Sequence, residues 1–363
     1  MRKCAALIFA VTLLFASCGK ADGGAETGDV VGTLKIVQVV SAYDASNERA
    51  NAEISEAIKE FCEESGYESS EFHSASASFD GYREAMASAV ESGADVIVCE
   101  GETAFQTVLA LQEIFPNVVF LCAGAEEPVA SLGEVMSERV HLIRFREEDA
   151  GYLAGYIAVY SGASSPGFIA IAQTDPVVNY FRGFVSGISD AALQLGKDGV
   201  TVKCSYKDGF GTVKGSDGNK IPKLEKAAKE IYNAGCDVVA SCGAAVPYTC
   251  AAARELGGKV IPLVSDLDDE YGVFTAYPRF EYKSAVKNVL TRLKDAGMKW
   301  NDDDAGKVSL VGLADGAVKI SGEVKGMLGL EEIEKRFSSG GAVCVANSMT
   351  EVSADGVEIE FID

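Results

Sequence analysis

The feature that most constrains the fold is a repeated alternation of short apolar runs with segments of helical periodicity. Strands are predicted at 34–40, 94–99, 118–122, 168–171, 200–206, 237–241 and 260–264. Helical spacing of apolar residues is found at 54–62, 82–90, 105–114, 152–160, 181–193, 224–232, 247–256 and 282–293. Strands that alternate with helices of this length predict βαβ units and mostly parallel sheets. Most of these strands are continuously apolar, as in sheets that are covered on both faces.

One nine-residue segment occurs twice in similar form. Residues 93–101 read GADVIVCEG, and residues 235–243 read GCDVVASCG. Both segments follow a helix and precede another, so they predict two lobes of the same construction. The length of 363 residues also suggests two domains. Ligands of such sheets bind beyond the carboxyl ends of the strands, and two facing lobes can close around a solute.

The amino-terminal segment predicts export from the cytoplasm. Two basic residues precede an apolar run at 5–16, which is shorter than the roughly 20 residues that span a bilayer. We interpret residues 1–17 as a signal peptide. Small residues before Cys18 resemble the bacterial lipobox, although Phe15 stands where an aliphatic residue is usual. Lipidation at Cys18, followed by a flexible tether at 18–32, would hold the protein on the extracytoplasmic side of the cell membrane; the alternative is an ordinary secretory signal with an incidental cysteine.

Charge and cysteine content disfavour nucleic acid, anionic lipid and structural zinc as binding partners. The formal net charge of −22 argues against nucleic acid or anionic lipid as a partner, although it does not forbid a locally basic pocket. Eight cysteines lie between residues 62 and 344 without a C-x-x-C pair, which disfavours a structural zinc site. Cys99, Cys122 and Cys242 end apolar runs and are expected to be small buried hydrophobes. The sequence leaves open whether one or two disulfides form.

The sequence carries no recognisable catalytic constellation. His73 and His141 have neither metal-ligand nor triad spacing, so we expect structural roles for them. There is no G-x-S-x-G, H-E-x-x-H or P-loop motif, and the glycine-rich stretch 209–218 is interpreted as a mobile loop. The acidic run 266–270 lacks the glycine and distal glutamate of an EF-hand, which favours a cleft-lining carboxylate over calcium. We therefore expect binding rather than catalysis, with no cofactor and no metal.

Several further segments occur in a fixed order. They read SGADVIVCEG at 92–101, FPNVVF at 115–120, EEDAGYLAG at 147–155, FRGFVSG at 181–187, SDLD at 265–268, and a glycine-containing tail at 307–319. Together they resemble the basic membrane protein family of ABC-transporter substrate-binding lipoproteins, which includes purine-nucleoside receptors. The resemblance covers about 33–345.

This resemblance implies a type I periplasmic-binding-protein fold, in which two doubly wound parallel-sheet lobes surround a ligand cleft. It also implies that a small solute, most simply a purine nucleoside, is delivered to the permease of an ABC importer. The topology of the family predicts that the lobes interleave along the chain. The first lobe would contain 33–145 and 271–300, and the second would contain 146–270 and 301–363.

The resemblance also implies which residues contact the solute. In nucleoside-binding members, an aspartate of the SDLD segment holds the ribose hydroxyls, and Asp266 occupies that position here. A carboxylate suits this role because it accepts two hydroxyl hydrogen bonds at once. The cation that usually follows falls near Arg279. Rings that stack on the base match Phe105 and Phe210, with core packing as an equal alternative for Phe105.

Five further expected contacts lie at three places where the sequence departs from the family pattern. The loop after the first strand lacks the usual phenylalanine and offers Tyr43, Asp44 and Asn47. Gly243 is followed by bulkier residues than usual, and Glu100 adds acid at the cleft mouth. These departures keep other functions open. The alternatives are a sugar-type or sensory receptor on the same fold, a surface lipoprotein with a vestigial cleft and, more remotely, an enzyme.

Overall fold

A computed structural model describes residues 33–41, 48–126, 128, 135–197, 199–206, 222–263, 269–322, 324, 329–339, 343–344 and 346–362. Residues Leu34–Asp363 form one compact unit. The described residues contain thirteen strands: β1 Lys35–Ser41, β2 Glu68–Ser74, β3 Val96–Glu100, β4 Val119–Ala123, β5 Val140–Phe145, β6 Pro166–Ala170, β7 Val200–Tyr206, β8 Val238–Cys242, β9 Lys259–Leu263, β10 Tyr277–Phe280, β11 Val308–Val311, β12 Val318–Ser321 and β13 Val357–Phe361.

Nine α-helices occur in the same described ranges, and most of them connect consecutive strands. They are α1 Glu48–Ser65, α2 Phe79–Glu91, α3 Glu102–Leu111, α4 Glu147–Tyr160, α5 Asp175–Gln194, α6 Pro222–Asn233, α7 Val246–Leu256, α8 Tyr282–Asp295 and α9 Leu330–Ser338. The predicted alternation of strand and helix is confirmed.

The strands form two parallel sheets with the same internal order. The first sheet runs β11-β5-β4-β3-β1-β2, the second runs β13-β7-β6-β8-β9, and β10 and β12 form a small antiparallel pair. In each half, the second strand lies beside the first, and the third and fourth follow on the other side, which is the doubly wound arrangement. The repeated segments at 93–101 and 235–243 contain β3 and β8, the third strands of the two halves. The internal similarity in sequence therefore reflects equivalent positions in two similar sheets.

One part of the predicted lobe assignment needs correction. We placed 301–363 in the second lobe, but β11 pairs in parallel with β5 of the first sheet, with Val308 opposite Leu142. Within this stretch, β13 does join the second sheet, beside β7. The residues of β11 are only half buried or exposed, and His141 and Arg144 interrupt the apolar pattern of its partner β5, so neither strand was recognised in the sequence.

Apolar side chains cover both faces of each sheet. One continuous core lies under α1 and α8 on the first sheet and extends to α4 and α5 on the second. A second core lies between the first sheet and helices α2 and α3, and a third lies between the second sheet and helices α6 and α7. This coverage explains why the central strands are continuously apolar.

Helices α4 and α5 touch backbone to backbone along a row of four glycines, which we call the glycine seam: Gly151, Gly155, Gly183 and Gly187. A Cβ added at any of them would lie 2.0–2.1 Å from a main-chain carbonyl oxygen of the other helix. Only glycine allows this approach. The EEDAGYLAG and FRGFVSG segments contribute these four residues, so the two segments encode a helix contact.

Candidate functional site

The carboxyl ends of β3 and β8 lie where the strand order reverses in each sheet. β3 ends at Glu100 and β8 at Cys242. Each is followed by a glycine in a left-handed conformation, with φ of 88° at Gly101 and 53° at Gly243. Glycine permits this turn at little cost, and the chain can then enter a helix directly. Ligands of doubly wound sheets bind at such reversal points.

Tyr180 of α5 lies near the carboxyl edges of both sheets. Burial raises the pKa of the Tyr180 hydroxyl well above its ordinary value, and the nearby acidic groups of Glu147, Cys242, Tyr282 and Glu126 raise it further. Cys242 ends β8 in the second sheet, and Glu126 follows β4 in the first. Tyr180 therefore has neighbours at the carboxyl edges of both sheets, and we call the region around these edges the cleft.

A carboxylate and a phenol converge on the first-sheet side of the cleft. A Cβ placed on Gly124, which follows β4, would lie 2.9 Å from Glu100 Oε1 and 2.8 Å from Tyr282 Oη. Glu100 is only 5% exposed, and the Tyr282 ring packs against Phe145 with centroids 4.6 Å apart. The absence of a side chain at Gly124 leaves room for both groups. Together they offer carboxylate acceptors and a hydroxyl that can donate or accept.

A polar network links the end of β5 to the helices of the second lobe. Arg144 Nη2 lies 2.9 Å from Glu126 Oε2 and 3.9 Å from Glu147 Oε1. Asn179 Nδ2 of α5 donates to Glu147 Oε2 at 3.0 Å. Burial raises the pKa of the Glu147 carboxyl, and the contacts with Asn179 and Arg144 oppose this rise. The network fixes the start of α4 beside the cleft.

The model of the Bmp family, which is described as "ABC transporter substrate-binding protein PnrA-like", matches residues 36–342 of this sequence. The chain belongs to the Bmp family. As a Bmp protein it is an ABC-transporter substrate-binding protein, a class that binds a small solute outside the cytoplasm for an ABC permease. No curated protein matches the sequence.

Solved structures show the fold of this Bmp protein. An ABC transporter solute-binding protein from Conexibacter woesei is 16% identical, with a TM-score of 0.62 over 86% of this chain and 99% of that one. A transcriptional activator of the comK gene from Bacillus halodurans is 17% identical, with a TM-score of 0.61 over 85% and 99%. AraP, an arabinose-binding protein from Geobacillus stearothermophilus, is 14% identical, with a TM-score of 0.56 over 82% and 100%. The predicted type I periplasmic-binding-protein fold is confirmed.

Four of the predicted contact residues of this Bmp protein lie in the described part of the chain. Glu100 lines the cleft, and Gly243 is exposed at the end of β8 with no atom within 4 Å of an added Cβ. Arg279 of β10 pairs with Glu281 at 2.7 Å and with Glu53 at 3.4 Å. Phe105 is 0% exposed in the core beneath α2 and α3, so the structure favours its packing role.

The other predicted positions lie outside the described residues: Cys18, Tyr43, Asp44, Asn47, Phe210 and Asp266. Conversely, sequence reasoning missed Arg144, Glu147, Tyr180 and Tyr282. One signal was available for Arg144 and Glu147. They flank the end of β5, and recognising that strand would have placed both beside the carboxyl edge.

The two histidines have structural roles, as expected. His141 of β5 is 1% exposed and hydrogen-bonded to Asp304 O at 2.8 Å and Ser309 Oγ at 2.9 Å. His73 of β2 lies 2.8 Å from Glu71. Within the described ranges, no group of three acidic, histidine or cysteine side chains is placed to hold a metal ion. No helix among these residues has the length and apolar character needed to span a membrane.

Proposed function

We propose that this Bmp protein binds a purine nucleoside in the cleft and passes it to an ABC permease. The observation that carries the proposal is the convergence of Glu100 and Tyr282 beside Gly124. A buried carboxylate next to a phenol suits the N–H edge of a purine base, because it accepts hydrogen bonds while the hydroxyl can donate to a ring nitrogen. The SDLD segment adds Asp266 as the acceptor for the ribose hydroxyls.

The remaining predicted residues complete the proposed site. Tyr43, Asp44 and Asn47 would contact the base from the loop after β1, and Phe210 would stack on its face. On the second lobe, the open space at Gly243 leaves room for the solute. Arg279 would exchange one of its glutamate partners for a ligand oxygen. Phe105 would contribute only if its ring left the core.

In this proposal, the protein is a membrane-anchored receptor that binds its solute without converting it. Lipidation at Cys18 would keep it on the outer face of the cell membrane, with 18–32 as the tether. The anchor is tested by Cys18→Ala, which should release the protein from the membrane fraction. Recovery of the variant in the membrane fraction would show that another segment holds the protein there.

Thermal unfolding of residues 33–363 tests whether the ligand is a nucleoside. The protein is first unfolded and refolded to remove carried-over solute, and is then heated with inosine, guanosine, adenosine, free bases, ribose or hexoses. A ligand at 100 times its Kd adds about 2.7 kcal/mol to the free energy of unfolding. We expect a stabilising shift with at least one nucleoside, which Asp266→Ala abolishes and Glu100→Gln weakens. Glu91→Gln, at an exposed position at the end of α2, is the matched control and should respond like the wild type.

Three other outcomes would replace the proposal. A shift with sugars alone would keep the receptor role and assign a sugar-type solute. No shift with any compound would favour a surface lipoprotein with a vestigial cleft. Conversion of a nucleoside into base and sugar during the incubation would identify an enzyme.

A further inference from the structure

A cavity of about 580 Å³ opens at the edge of the first sheet opposite the cleft. Its walls come from segments that precede strands, including Glu138 and Arg139 before β5, and from the turn after α8. The cleft lies at the carboxyl ends of the same strands. The cavity is therefore separate from the solute site, and its volume lies in the usual range for small-molecule sites.

The turn Met298–Lys299–Trp300 forms one wall in a fixed conformation. The Trp300 indole N–H donates to the backbone oxygen of Arg139 at 3.0 Å, and its ring lies 5.0 Å from that of His141. Met298 has a φ of 63° and is the one non-glycine residue with positive φ in the described ranges. Residues other than glycine rarely adopt such a conformation. Strain of this kind often occurs at binding sites. Here it holds a thioether and an indole ring at the cavity.

Two cations line the cavity, and one of them has an unused donor. Arg139 Nη2 donates to Gln112 O at 2.8 Å, which fixes the side chain. Its Nε is buried and has no hydrogen-bond partner among the described residues. A buried donor without an acceptor is destabilising. A carboxylate bound in the cavity would lie beside this guanidinium, whose Nη2 is also 3.3 Å from Glu113 Oε1. Lys299 adds a second positive charge at the same wall.

Two carboxylates complete the lining, from Glu138 and Asp302. The cavity thus combines both signs of charge with an apolar surface made by Trp300 and Met298. We propose that it is a second binding site, for a small zwitterion of the amino-acid type with an apolar or aromatic side chain. The ligand carboxylate would face Arg139 and Lys299, and its ammonium group would face Glu138 and Asp302.

Fluorescence of Trp300 tests this site directly, because the chain contains a single tryptophan. Residues 33–363 are titrated with L-phenylalanine, L-leucine and L-methionine under excitation selective for indole. We expect a saturable change in emission with at least one of them. Hydrocinnamate lacks the ammonium group and phenethylamine lacks the carboxylate, so each should bind at least about tenfold more weakly than phenylalanine, as expected when one charged hydrogen bond is lost.

Two variants separate this cavity from other binding modes. Lys299→Met should weaken binding by about tenfold or more. Lys259→Met removes the same charge from the start of β9 in the second lobe and should bind like the wild type. The proposal is overturned if no amino acid changes the emission at about 10 mM, ten times the Kd of a ligand that binds with about 4 kcal/mol. It is equally overturned if the single-charge analogues bind as tightly as phenylalanine, or if Lys299→Met binds unchanged.

Discussion

Asp149 shows how one buried carboxylate joins two distant parts of the chain. Its Oδ2 accepts a hydrogen bond from the backbone N–H of Leu313 at 2.8 Å. A Cβ on Gly312 would lie 2.1 Å from the same oxygen, so the close approach requires glycine. Asp149 is in the first turn of α4, after β5, and Leu313 follows β11. The contact therefore ties together two points where the chain leaves the first sheet.

The pH dependence of stability should change in Asp149→Asn. Burial raises the pKa of the Asp149 carboxyl from 3.8 to about 6, and the Leu313 hydrogen bond opposes this rise only in part. Because the folded state holds the proton more tightly, the contribution of Asp149 to stability is complete below pH 3.8 and is lost as the pH rises through about 6. Asparagine can accept the same hydrogen bond without ionising. As the pH rises between these limits, the free energy of unfolding of the variant should increase by up to about 3 kcal/mol relative to wild type.

Urea unfolding across this pH range measures that difference. Subtracting the wild-type curve removes the contribution of His141, whose pKa burial lowers. Asp295→Asn, at the exposed end of α8, is the control and should show no such rise. A difference that stays constant with pH would mean that folding does not shift the pKa of Asp149.

At this scale the sequence predicted some cleft residues and missed others. Glu100 was singled out because it adds an acidic group where the family pattern is often neutral. Tyr282 was missed because its position depends on a contact with Gly124, which lies far away in the sequence. Arg144 and Glu147 were missed because β5, which contains Arg144 and ends just before Glu147, was not recognised. No local pattern identifies a residue whose neighbours are brought together by the fold.

At the scale of elements, strands were predictable where both faces are covered. β3, β4 and β8 are buried at every position and read as apolar runs. β2, at a sheet edge, reads ESSEFHS and alternates in exposure, so it was missed. β5 is central, but His141 and Arg144 interrupt its apolar pattern. Both are tolerated because they have partners, the former in Asp304 and Ser309 and the latter in Glu126.

Substitution within the glycine seam should destabilise the protein strongly. In Gly155→Ala, the new Cβ would lie 2.1 Å from the backbone oxygen of Phe184, which belongs to a rigid helix and cannot move away easily. We expect a loss of about 3 kcal/mol or more in the free energy of unfolding, measured in urea. Gly329→Ala is the control, because no atom of the described residues lies within 4 Å of its added Cβ, and it should change stability by less than about 0.5 kcal/mol. Equal effects in the two variants would show that the helices separate easily.

At the scale of the whole molecule, the two-lobed plan was predictable and the chain crossings were not. The repeated segment indicated two similar halves, and the common strand order confirms them. The assignment of β11 depended on pairing between Val308 and Leu142, a contact across more than half of the compact unit. Such long-range pairings leave no periodic signal near the strand itself.

The thiols of the whole chain should be largely unreactive in the native state. All eight cysteines between residues 62 and 344 are free, and all except Cys344 are buried. Burial also raises the pKa of six of these thiols, to about 11 for Cys62, which removes their reactive thiolate; the six are Cys62, Cys122, Cys204, Cys236, Cys242 and Cys250. An aromatic disulfide reagent should therefore modify about one thiol in native residues 33–363 and eight after unfolding. Fewer than eight in the unfolded protein, without added reductant, would reveal disulfides.

The glycine seam also limits how the molecule can change shape. Packed helices slide past each other in shear motions when the side chains at their contact shift in small steps. Along the seam, the main chains of α4 and α5 meet with no side chain between them. No side chain can therefore change its position to let one helix slide past the other. An opening or closing of the cleft that preserves this contact must carry the two helices as one body. The rotation then has to take place in the few residues where the chain passes between the sheets.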